Sequence, residues 1–289
     1  MNPGLIELFA IIGGDETALL HSENSHAHYA AMDSGGQGEL FGEADKNERQ
    51  YYCFYEEDAA IVAALHSASP IVSALSPQAR RLFKISRNAF DDITHAWMSE
   101  LPIAAAIVRF GRKILAVAAD SGNRQQAAEI AATDRSDPDV RTVHAAAFKS
   151  LREFDRLRGL LRFCPDEDGT YIACCEPDHF VLPALGPHFR ERFGETPWTI
   201  VDNKRRICLH CELGQPPRLY AIGEGPVFSD KLPEPSAEAQ SRGSHPDGEW
   251  GNLWRHYHKI INNESRNNPN LQRQFMPIRY WKYLNELKE

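Results

Sequence analysis

One long amphipathic helix constrains the fold of this chain more than any other feature of its sequence. Residues 136–163 read SDPDVRTVHAAAFKSLREFDRLRGLLRF. Ser136 or Asp137 can cap the helix, and Pro138 stands just inside it. Gly159 is placed to end it. Apolar residues recur every three or four positions and predict one buried face: Val140, Val143, Ala147, Leu151, Phe154 and Leu157.

The chain before this helix is also predicted to be helical, over residues 58–135. Ser76 as N-cap and Pro77 at the first helical position are a strong start signal. Residues 102–122 space their apolar side chains three or four apart, as a helix facing a core does. Residues 1–57 are acidic and include a polar, Gly-rich stretch, so we expect them to be partly irregular.

Beyond the long helix, the sequence changes to the pattern of short strands. Residues 170–176, TYIACCE, and residues 198–210, WTIVDNKRRICLH, read as strands next to turns. A helix is expected between them, interrupted by Pro183 and Pro187. This part of the chain is therefore predicted to be a small antiparallel sheet that carries one helix.

Together these patterns predict an α+β fold with a helical N-terminal half, a small antiparallel sheet with a helix, and a C-terminal helical segment. The boundary after the sheet is marked by a linker-like loop rich in Pro, Ser and Gly. The predicted segments are 1–57, 58–135, 136–230, the loop 231–248 and the helical segment 249–289.

The composition is that of an ordinary soluble globular protein, with 42% hydrophobic and 25% charged residues. A net charge of −8 predicts no global attraction to nucleic acid. The charge is uneven, however, because residues 141–163 hold six cations against two acids. Such a basic stripe is either a solvated helix face or a ridge that binds phosphates, and its spacing leaves both interpretations open.

We expect this protein to lie in the cytoplasm and not in a membrane. No apolar run reaches the roughly 20 residues that cross a bilayer. The first residues lack the cationic start and the cleavage site of a signal peptide. In that compartment the six cysteines are expected to be reduced thiols.

The CLHC sequence makes Cys208 and Cys211 weak candidates for half of a zinc site. In a strand, Cys208 and His210 would share one face while Cys211 points to the other, which suits a tetrahedral site poorly. The favoured interpretation is therefore a pair of buried, reduced thiols.

The EPDH sequence supplies the candidate catalytic residues Glu176, Asp178 and His179, at a predicted strand-to-helix junction. Two carboxylates and an imidazole can bind a metal or act as acid and base. The alternative is a helix start, with acids near the helix N-terminus and Pro177 in the first turn. No phosphate-binding or dinucleotide loop, nucleophile elbow or zinc-protease motif is present, so no cofactor is predicted and catalysis stays open.

The segment NNPNLQRQFMPIRYWKYLNEL, residues 267–287, has three cations and no acid before Glu286. Aromatic and arginine planes of this kind stack on unpaired bases and hold phosphates. The same aromatic residues can instead attach the last helix to the core. The cations and aromatic residues concerned are Arg273, Arg279, Lys282, Phe275, Tyr280, Trp281 and Tyr283.

Several stretches resemble one known family. REFDRLRGLLRF, the run from EPDHF to DNKRR, and LWRHYHKIINNESRNNPNLQRQFMPIRYWKYLNEL are similar to DNA-metabolism proteins linked to a radical-SAM partner. The C-terminal part of that family is a domain of unknown function that also occurs fused to uracil-DNA-glycosylase-like domains. The resemblance covers roughly residues 90–289. The matching positions are Gly159, Arg162, Phe163, Glu176, Pro177, Asp178, His179, Arg192, Phe193, Trp198, Asp202, Trp254, Arg266, Asn268, Pro269, Gln272, Met276, Pro277, Arg279, Tyr280 and Trp281.

The resemblance implies a DNA repair or modification accessory protein that binds DNA and acts with a radical-SAM iron–sulfur protein. It carries over no catalytic residue. Two alternatives stay open: a stand-alone enzyme on nucleotides or damaged bases that uses Glu176, Asp178 and His179, and a purely protein-binding module for the radical-SAM subunit. The nucleic-acid-binding candidates are Arg156, Arg162, Arg192, Arg266, Asn268, Gln272, Arg273, Arg279, Tyr280 and Trp281.

Overall fold

The computed structural model describes most of the chain between residues 75 and 222 and shorter parts on either side. The described residues are 3–14, 58–67, 75–165, 169–222, 256–257, 259–261, 263 and 268–284. The chain forms two compact units. The first unit comprises Met1–Glu153 with Asp178–Ala184, and the second comprises Phe154–Pro177 with Leu185–Glu289.

The described residues of the first unit are mainly helical. Its helices are α1 (Leu5–Ile12), α2 (residues 58–65), α3 (Pro77–Ile85), α4 (Arg87–Met98), α5 (Ala104–Asp120) and α6 (Arg124–Thr133). The long helix α7, Pro138–Leu160, begins in this unit and ends in the second. The predicted helical N-terminal half is thereby confirmed.

Polar caps set where two of these helices begin. Ser76 Oγ accepts a hydrogen bond of 3.2 Å from a first-turn N–H of α3, with Pro77 at the first position, as predicted. In α7, Asp137 Oδ1 accepts from two first-turn N–H groups at 2.7 and 3.2 Å. Asp137, rather than Ser136, is therefore the residue that caps the long helix.

The core of the first unit lies where α1 packs on α4 and α5. Phe9 and Phe90 stack with their ring centroids 5.0 Å apart. Gly111 of α5 lets Ile12 approach closely, because a Cβ at Gly111 would lie 2.7 Å from the Ile12 side chain. Any larger residue at position 111 would push α1 away from α5.

Among the described residues, the second unit contains a five-stranded sheet in the order β1-β2-β3-β4-β5. Its strands are β1 (Cys164–Pro165), β2 (Tyr171–Cys175), β3 (Trp198–Asp202), β4 (Ile207–Cys211) and β5 (Arg218–Ala221). The α+β fold is confirmed. One pair, β2–β3, is parallel where an antiparallel sheet was expected. The reason is that a helix, not a turn, joins these two strands, and such a crossover returns the chain in the same direction.

That crossover helix, α8 (Leu182–Phe193), runs through Pro187 without a break, contrary to the expectation. Pro183 lies in its first turn, where the missing N–H has no helical partner to lose. Pro187 forfeits the one hydrogen bond that would reach the Pro183 carbonyl. Burial of Leu185 and Phe189 keeps the helix continuous despite that loss.

An aromatic cluster forms the core of the second unit beneath the sheet. The Phe163 ring lies 4.9 Å from that of Phe189 and 4.7 Å from that of Phe193, measured between centroids. Phe189 lies 6.1 Å from Trp198, which is fully buried in β3. Three of these four aromatic residues match the family resemblance, so that part of the signature builds a core.

The described C-terminal residues form α9 (Pro269–Phe275) and a 3₁₀ helix, Ile278–Tyr283. Asn268 Oδ1 caps α9 by accepting the Leu271 N–H at 3.0 Å. The predicted loop 231–248, most of the segment 1–57, Trp254 and Arg266 lie outside the described residues. No described helix combines the length and the apolar character that a membrane crossing demands.

Candidate nucleic-acid interface

The EPDH segment lies in the connection between β2 and α8, and not at a helix start as the alternative interpretation held. The helix begins only at Leu182. The backbone N–H groups of Asp178 and His179 instead donate to the two carboxylate oxygens of Glu153, at 2.9 and 2.7 Å. These contacts satisfy the two amides without a helical turn.

Glu153 is 1% exposed, on the buried line of α7. A buried carboxylate requires strong hydrogen bonds, and the two amides supply them. The sequence did not single out Glu153, because it stands there as one charge of a basic helix. Its position three residues after the buried Ser150, on the same helix face, is the signal that could have found it.

The side chain of His179 is fixed within the first unit. Its Nδ1 lies 2.9 Å from the backbone carbonyl oxygen of Ser99, a contact that places the ring proton on Nδ1. Asp178 is exposed. His179 is therefore held in one orientation by the backbone of α4's C-terminal end.

Glu176 belongs to the second unit, because the division between the two units follows Pro177. Its contacts lie in that unit. Its carboxylate pairs with Lys282 at 2.7 Å. Partial burial alone would raise the pKa of Glu176, but hydrogen bonds from Lys282 and Tyr283 outweigh it and hold the pKa below its ordinary value. Tyr283 in turn accepts from Asn203 at 3.3 Å, and burial raises the pKa of its hydroxyl.

The β3–β4 turn is built by Asp202, another residue of the family resemblance. Its Oδ1 accepts the N–H groups of Lys204 and Arg205 at 3.0 and 3.1 Å, and Oδ2 pairs with the Arg205 guanidinium at 2.8 Å. Arg205 also donates to the carbonyl oxygen of Pro177 at 3.0 Å. The turn thereby supports the Glu176–Pro177 backbone.

The terminal 3₁₀ helix is attached to the second unit by buried side chains. Tyr280 is 2% exposed, and Tyr283 and Leu284 are also buried. Trp281 is half-buried, and its Nε1 donates to the carbonyl oxygen of Met276 at 2.9 Å. This burial favours attachment to the core over base stacking for Tyr280.

The same segment also presents exposed side chains. Leu271, Phe275 and Ile278 are 49, 60 and 59% exposed, and we call these three the exposed apolar face. Arg273 is exposed as well. Arg279 lies over the Tyr280 ring, 4.8 Å from its centroid, and donates to the Tyr280 hydroxyl at 3.1 Å.

Three other side chains that were predicted to bind nucleic acid are hydrogen-bonded to the backbone of this chain. Arg156 donates to the carbonyl oxygen of Gln274 at 2.7 Å, and Arg162 donates to that of Gly159 at 2.8 Å, at the end of α7. Asn268 caps α9. Gln272 is half-buried in α9, and Arg266 lies outside the described residues.

Arg158 of α7 and His188 and Arg192 of α8, all in the second unit, interact electrostatically, and we call these three residues the His188 cluster. His188 Nε2 is buried and has no hydrogen-bond partner among the described residues. Burial, and then the positive charges of Arg158 and Arg192, lower the pKa of His188, against the opposing negative charge of Glu191. The two exposed guanidinium groups therefore lie close enough to the imidazole to repel its protonated form.

Of this cluster, the sequence predicted Arg192 and missed Arg158 and His188. Arg192 follows His188 by one helical turn, a spacing that could have flagged the pair. Arg158 pairs with Asp155 only at 3.6 Å and lies 5.4 Å from the Phe154 ring centroid. Guanidinium groups are suited to bind an oxyanion such as phosphate.

The cysteine candidates for a metal site are buried in β4. Burial raises the pKa of Cys208 to about 12, and it also raises that of Cys211. Cys211 Sγ lies 3.7 and 3.5 Å from the carbonyl oxygens of Glu212 and Gln215, which share its one proton. Within the part of the chain that the structure describes, no three His, Cys, Asp or Glu side chains are grouped to hold a metal.

The fold and the site define a two-unit α+β protein whose second unit carries a cationic cluster. A family model matches residues 113–286, more than half of the chain. The chain belongs to the family described as a domain of unknown function, DUF4130. The matched range contains Glu153, the EPDH segment, the His188 cluster and the terminal segment. Comparison with curated proteins gave no match. Comparison with solved structures gave none either.

Proposed function

We propose that this protein is an accessory component of a DNA repair or modification system that binds the phosphate backbone of DNA. The His188 cluster is the observation that supports this most directly. The role beside a radical-SAM iron–sulfur protein rests on the resemblance of the sequence stretches quoted above. A cytoplasmic location belongs to the same proposal, and it is supported by the free thiols of all five cysteines in the described residues.

The competing explanation of Arg158 and Arg192 is stabilisation of helix ends. Both lie in the last turns of their helices, where cations are favoured by the helix dipole. That explanation does not account for His188. Nε2 of His188 is a buried polar atom without a hydrogen-bond partner among the described residues, which costs free energy that helix-end stabilisation does not explain.

A net charge of −8 does not oppose this proposal, because local potential decides contact while net charge decides long-range steering. The second unit also carries the exposed cations Arg273 and Arg279. These two arginines would increase the number of phosphates that the second unit can contact. We place the half-buried Trp281 among the residues that contact a base.

The proposal is tested by fluorescence anisotropy with a single-stranded oligonucleotide. We expect Arg158→Gln with Arg192→Gln to weaken binding by at least about tenfold, since two charge-assisted hydrogen bonds are lost. The control is Arg218→Gln with Lys259→Gln, which removes the same charge from exposed positions of the same unit. Equal weakening by both double variants, or no binding by the unmodified chain, would overturn the proposal.

A second candidate is a protein-binding module for the radical-SAM subunit, and the exposed apolar face favours it. Leu271, Phe275 and Ile278 expose large apolar side chains within one short segment, as binding surfaces do. Phe275→Ser with Ile278→Ser would abolish co-purification of the two proteins after nuclease treatment. Retained co-purification in that variant would remove this candidate.

The stand-alone enzyme alternative has less support from the contacts. Glu176 is engaged by Lys282, and His179 is held by the Ser99 carbonyl. The backbone at Asp178 and His179 is occupied by Glu153. These contacts give the segment a structural role, and a turnover that His179→Ala abolishes in a folded chain would restore the catalytic interpretation.

A further inference from the structure

The outward face of α7 carries an exposed aromatic side chain in the first unit. Phe148 is 63% exposed, and it lies in the part of α7 that belongs to this unit. The buried residues of the same stretch, such as Val143, Ala147 and Ser150, lie on a different side of the helix. The core of the first unit therefore makes little use of the Phe148 ring, and the ring is open to a ligand.

The local sequence explains why this ring stays uncovered. A helical side chain leans over the residues three and four positions before it, which are Ala145 and His144 for Phe148. Ala145 is exposed and has no atom beyond Cβ, so it cannot cover the ring. His144 is half-buried, and its own ring packs against Phe110 at 6.4 Å between centroids. A flat apolar surface thus remains on the outside of the helix.

Two cations lie beside this ring. Lys149 is the next residue and Arg152 follows Phe148 by one helical turn, and both are exposed. Within the part of the chain that the structure describes, neither of them is paired with a carboxylate. Arg141 differs, because its guanidinium donates to the carbonyl oxygens of Arg135 and Ser136 at 2.9 and 2.8 Å. The charges of Lys149 and Arg152 therefore remain available to an anionic partner.

The chemistry of this face selects the kind of partner. A partner that complements it must offer negative charge next to a flat apolar surface, and a single strand of DNA offers both in its phosphates and unpaired bases. In a duplex each base is already stacked between its neighbours, so the ring would have no base face to contact. The alternative is a solvated helix face, which accounts for the two cations and leaves the exposed ring without a role.

We infer that Phe148, Lys149 and Arg152 form a stacking site for one unpaired base of single-stranded DNA. The Phe148 ring contacts the base, and the two cations contact the neighbouring phosphates. This inference rests on the proposed function and narrows its ligand to DNA with unpaired bases. It also assigns a DNA contact to the first unit, whereas the His188 cluster belongs to the second.

Fluorescence anisotropy of the full chain, with a single-stranded oligonucleotide and with a fully abasic strand of the same length, tests the stacking site. Phe148→Ala should weaken binding of the strand that has bases by at least about fivefold, the lower end of what one base–aromatic stack contributes. Affinity for the abasic strand should not change, because that strand offers the same phosphates and no base. Phe148→Trp keeps an aromatic ring and should retain the affinity of the unmodified chain.

The control is Ile130→Ala, which removes a 64% exposed apolar side chain from the same unit and should change neither affinity. An equal effect of Phe148→Ala on both strands would overturn the stacking site. Unchanged affinity for both strands, as expected if this face binds an acidic peptide, would also overturn it. If Arg158→Gln with Arg192→Gln weakens binding in that case, the proposed function stands without the stacking site. No binding of either strand by the unmodified chain would remove both.

The salt dependence of binding tests the two cations separately from the ring. Each phosphate contact to a single strand contributes about −0.7 to the slope of log affinity against log salt concentration. Lys149→Gln with Arg152→Gln should therefore make the slope shallower by about 1.4 for both strands. The control, Lys84→Gln with Arg124→Gln, removes two exposed cations of the same unit and should leave the slope unchanged. Equal slopes in the two double variants would contradict the phosphate contacts.

Discussion

Glu153 holds the backbone of His179, whose N–H donates to the Glu153 Oε2 at 2.7 Å. Oε1 of the same carboxylate accepts the Asp178 N–H at 2.9 Å. A single buried side chain of α7 thereby fixes the backbone of Asp178 and His179, which belong to the first unit. These two residues form a bend that is bound by a carboxylate, and the helix begins only at Leu182.

Replacement of Glu153 by Gln should destabilise the chain. The amide NH₂ of glutamine would face one of the two backbone donors, so one charge-assisted hydrogen bond is lost and a donor is left unpaired. The expected cost is about 1.5–3 kcal/mol in the free energy of unfolding, measured by urea denaturation. Glu191→Gln, at an exposed position of α8, is the control. A change of less than about 0.5 kcal/mol, as at an ordinary surface site, would contradict the described contacts.

The Glu176–Lys282 pair predicts a defined pH dependence. The pKa of Glu176 lies below its ordinary value of 4.5 in the folded chain. Its contribution is therefore fully present above pH 4.5 and is lost as the pH falls through the folded-state pKa. Both side chains are more than one third exposed, so the pair contributes only about 0–1 kcal/mol.

Lys282→Met should make the loss of stability below pH 4.5 shallower while it changes the free energy of unfolding little at pH 7. Chemical denaturation at a series of pH values measures both effects. A variant whose pH profile overlays that of the unmodified chain would show that the ion pair has no energetic role.

Truncation of Tyr280 should lower the free energy of unfolding far more than truncation of Phe275, although the two residues are only five positions apart. Tyr280 is buried, so Tyr280→Ala should cost roughly 3–5 kcal/mol, as other large aromatic truncations in cores do. Phe275 is 60% exposed, and Phe275→Ala should stay within about 0.5 kcal/mol. Thermal unfolding of the two variants measures the difference, and equal effects would mean that the terminal segment is not attached as described.

Cys208 should be chemically inert. Its pKa of about 12 leaves almost no thiolate at pH 8, and its side chain is buried in β4. Iodoacetamide labelling of the native chain, followed by peptide mapping, should modify the half-buried Cys164 faster than Cys208. Comparable labelling rates would indicate that β4 opens or that Cys208 is a reactive thiol.

Periodicity and caps were sufficient to predict much of the fold. The apolar spacing of α7 and the Ser76–Pro77 signal are local, so the sequence carries them directly. The direction of β3 relative to β2 is not local, since it depends on whether α8 or a turn connects them. The continuity of α8 through Pro187 was also missed, because tertiary burial outweighs one lost hydrogen bond.

The candidate site was predictable only where one segment contains it. The Glu176–His179 sequence was noticed, but its partners Glu153 and Lys282 come from distant parts of the chain. The His188 cluster joins Arg158 of α7 to two residues of α8, so spacing along the chain can indicate the His188–Arg192 pair but not its relation to Arg158. Burial of Tyr280 next to the exposed Arg279 likewise depends on packing that composition does not encode.

The salt dependence of DNA binding tests the central claim most directly. Each phosphate contact to a single strand contributes about −0.7 to the slope of log affinity against log salt concentration. Loss of Arg158 and Arg192 together should therefore make the slope shallower by about 1.4, whereas the Arg218→Gln, Lys259→Gln control should leave it unchanged. A slope that is identical in both double variants and in the unmodified chain would contradict the assignment of the His188 cluster as a phosphate site.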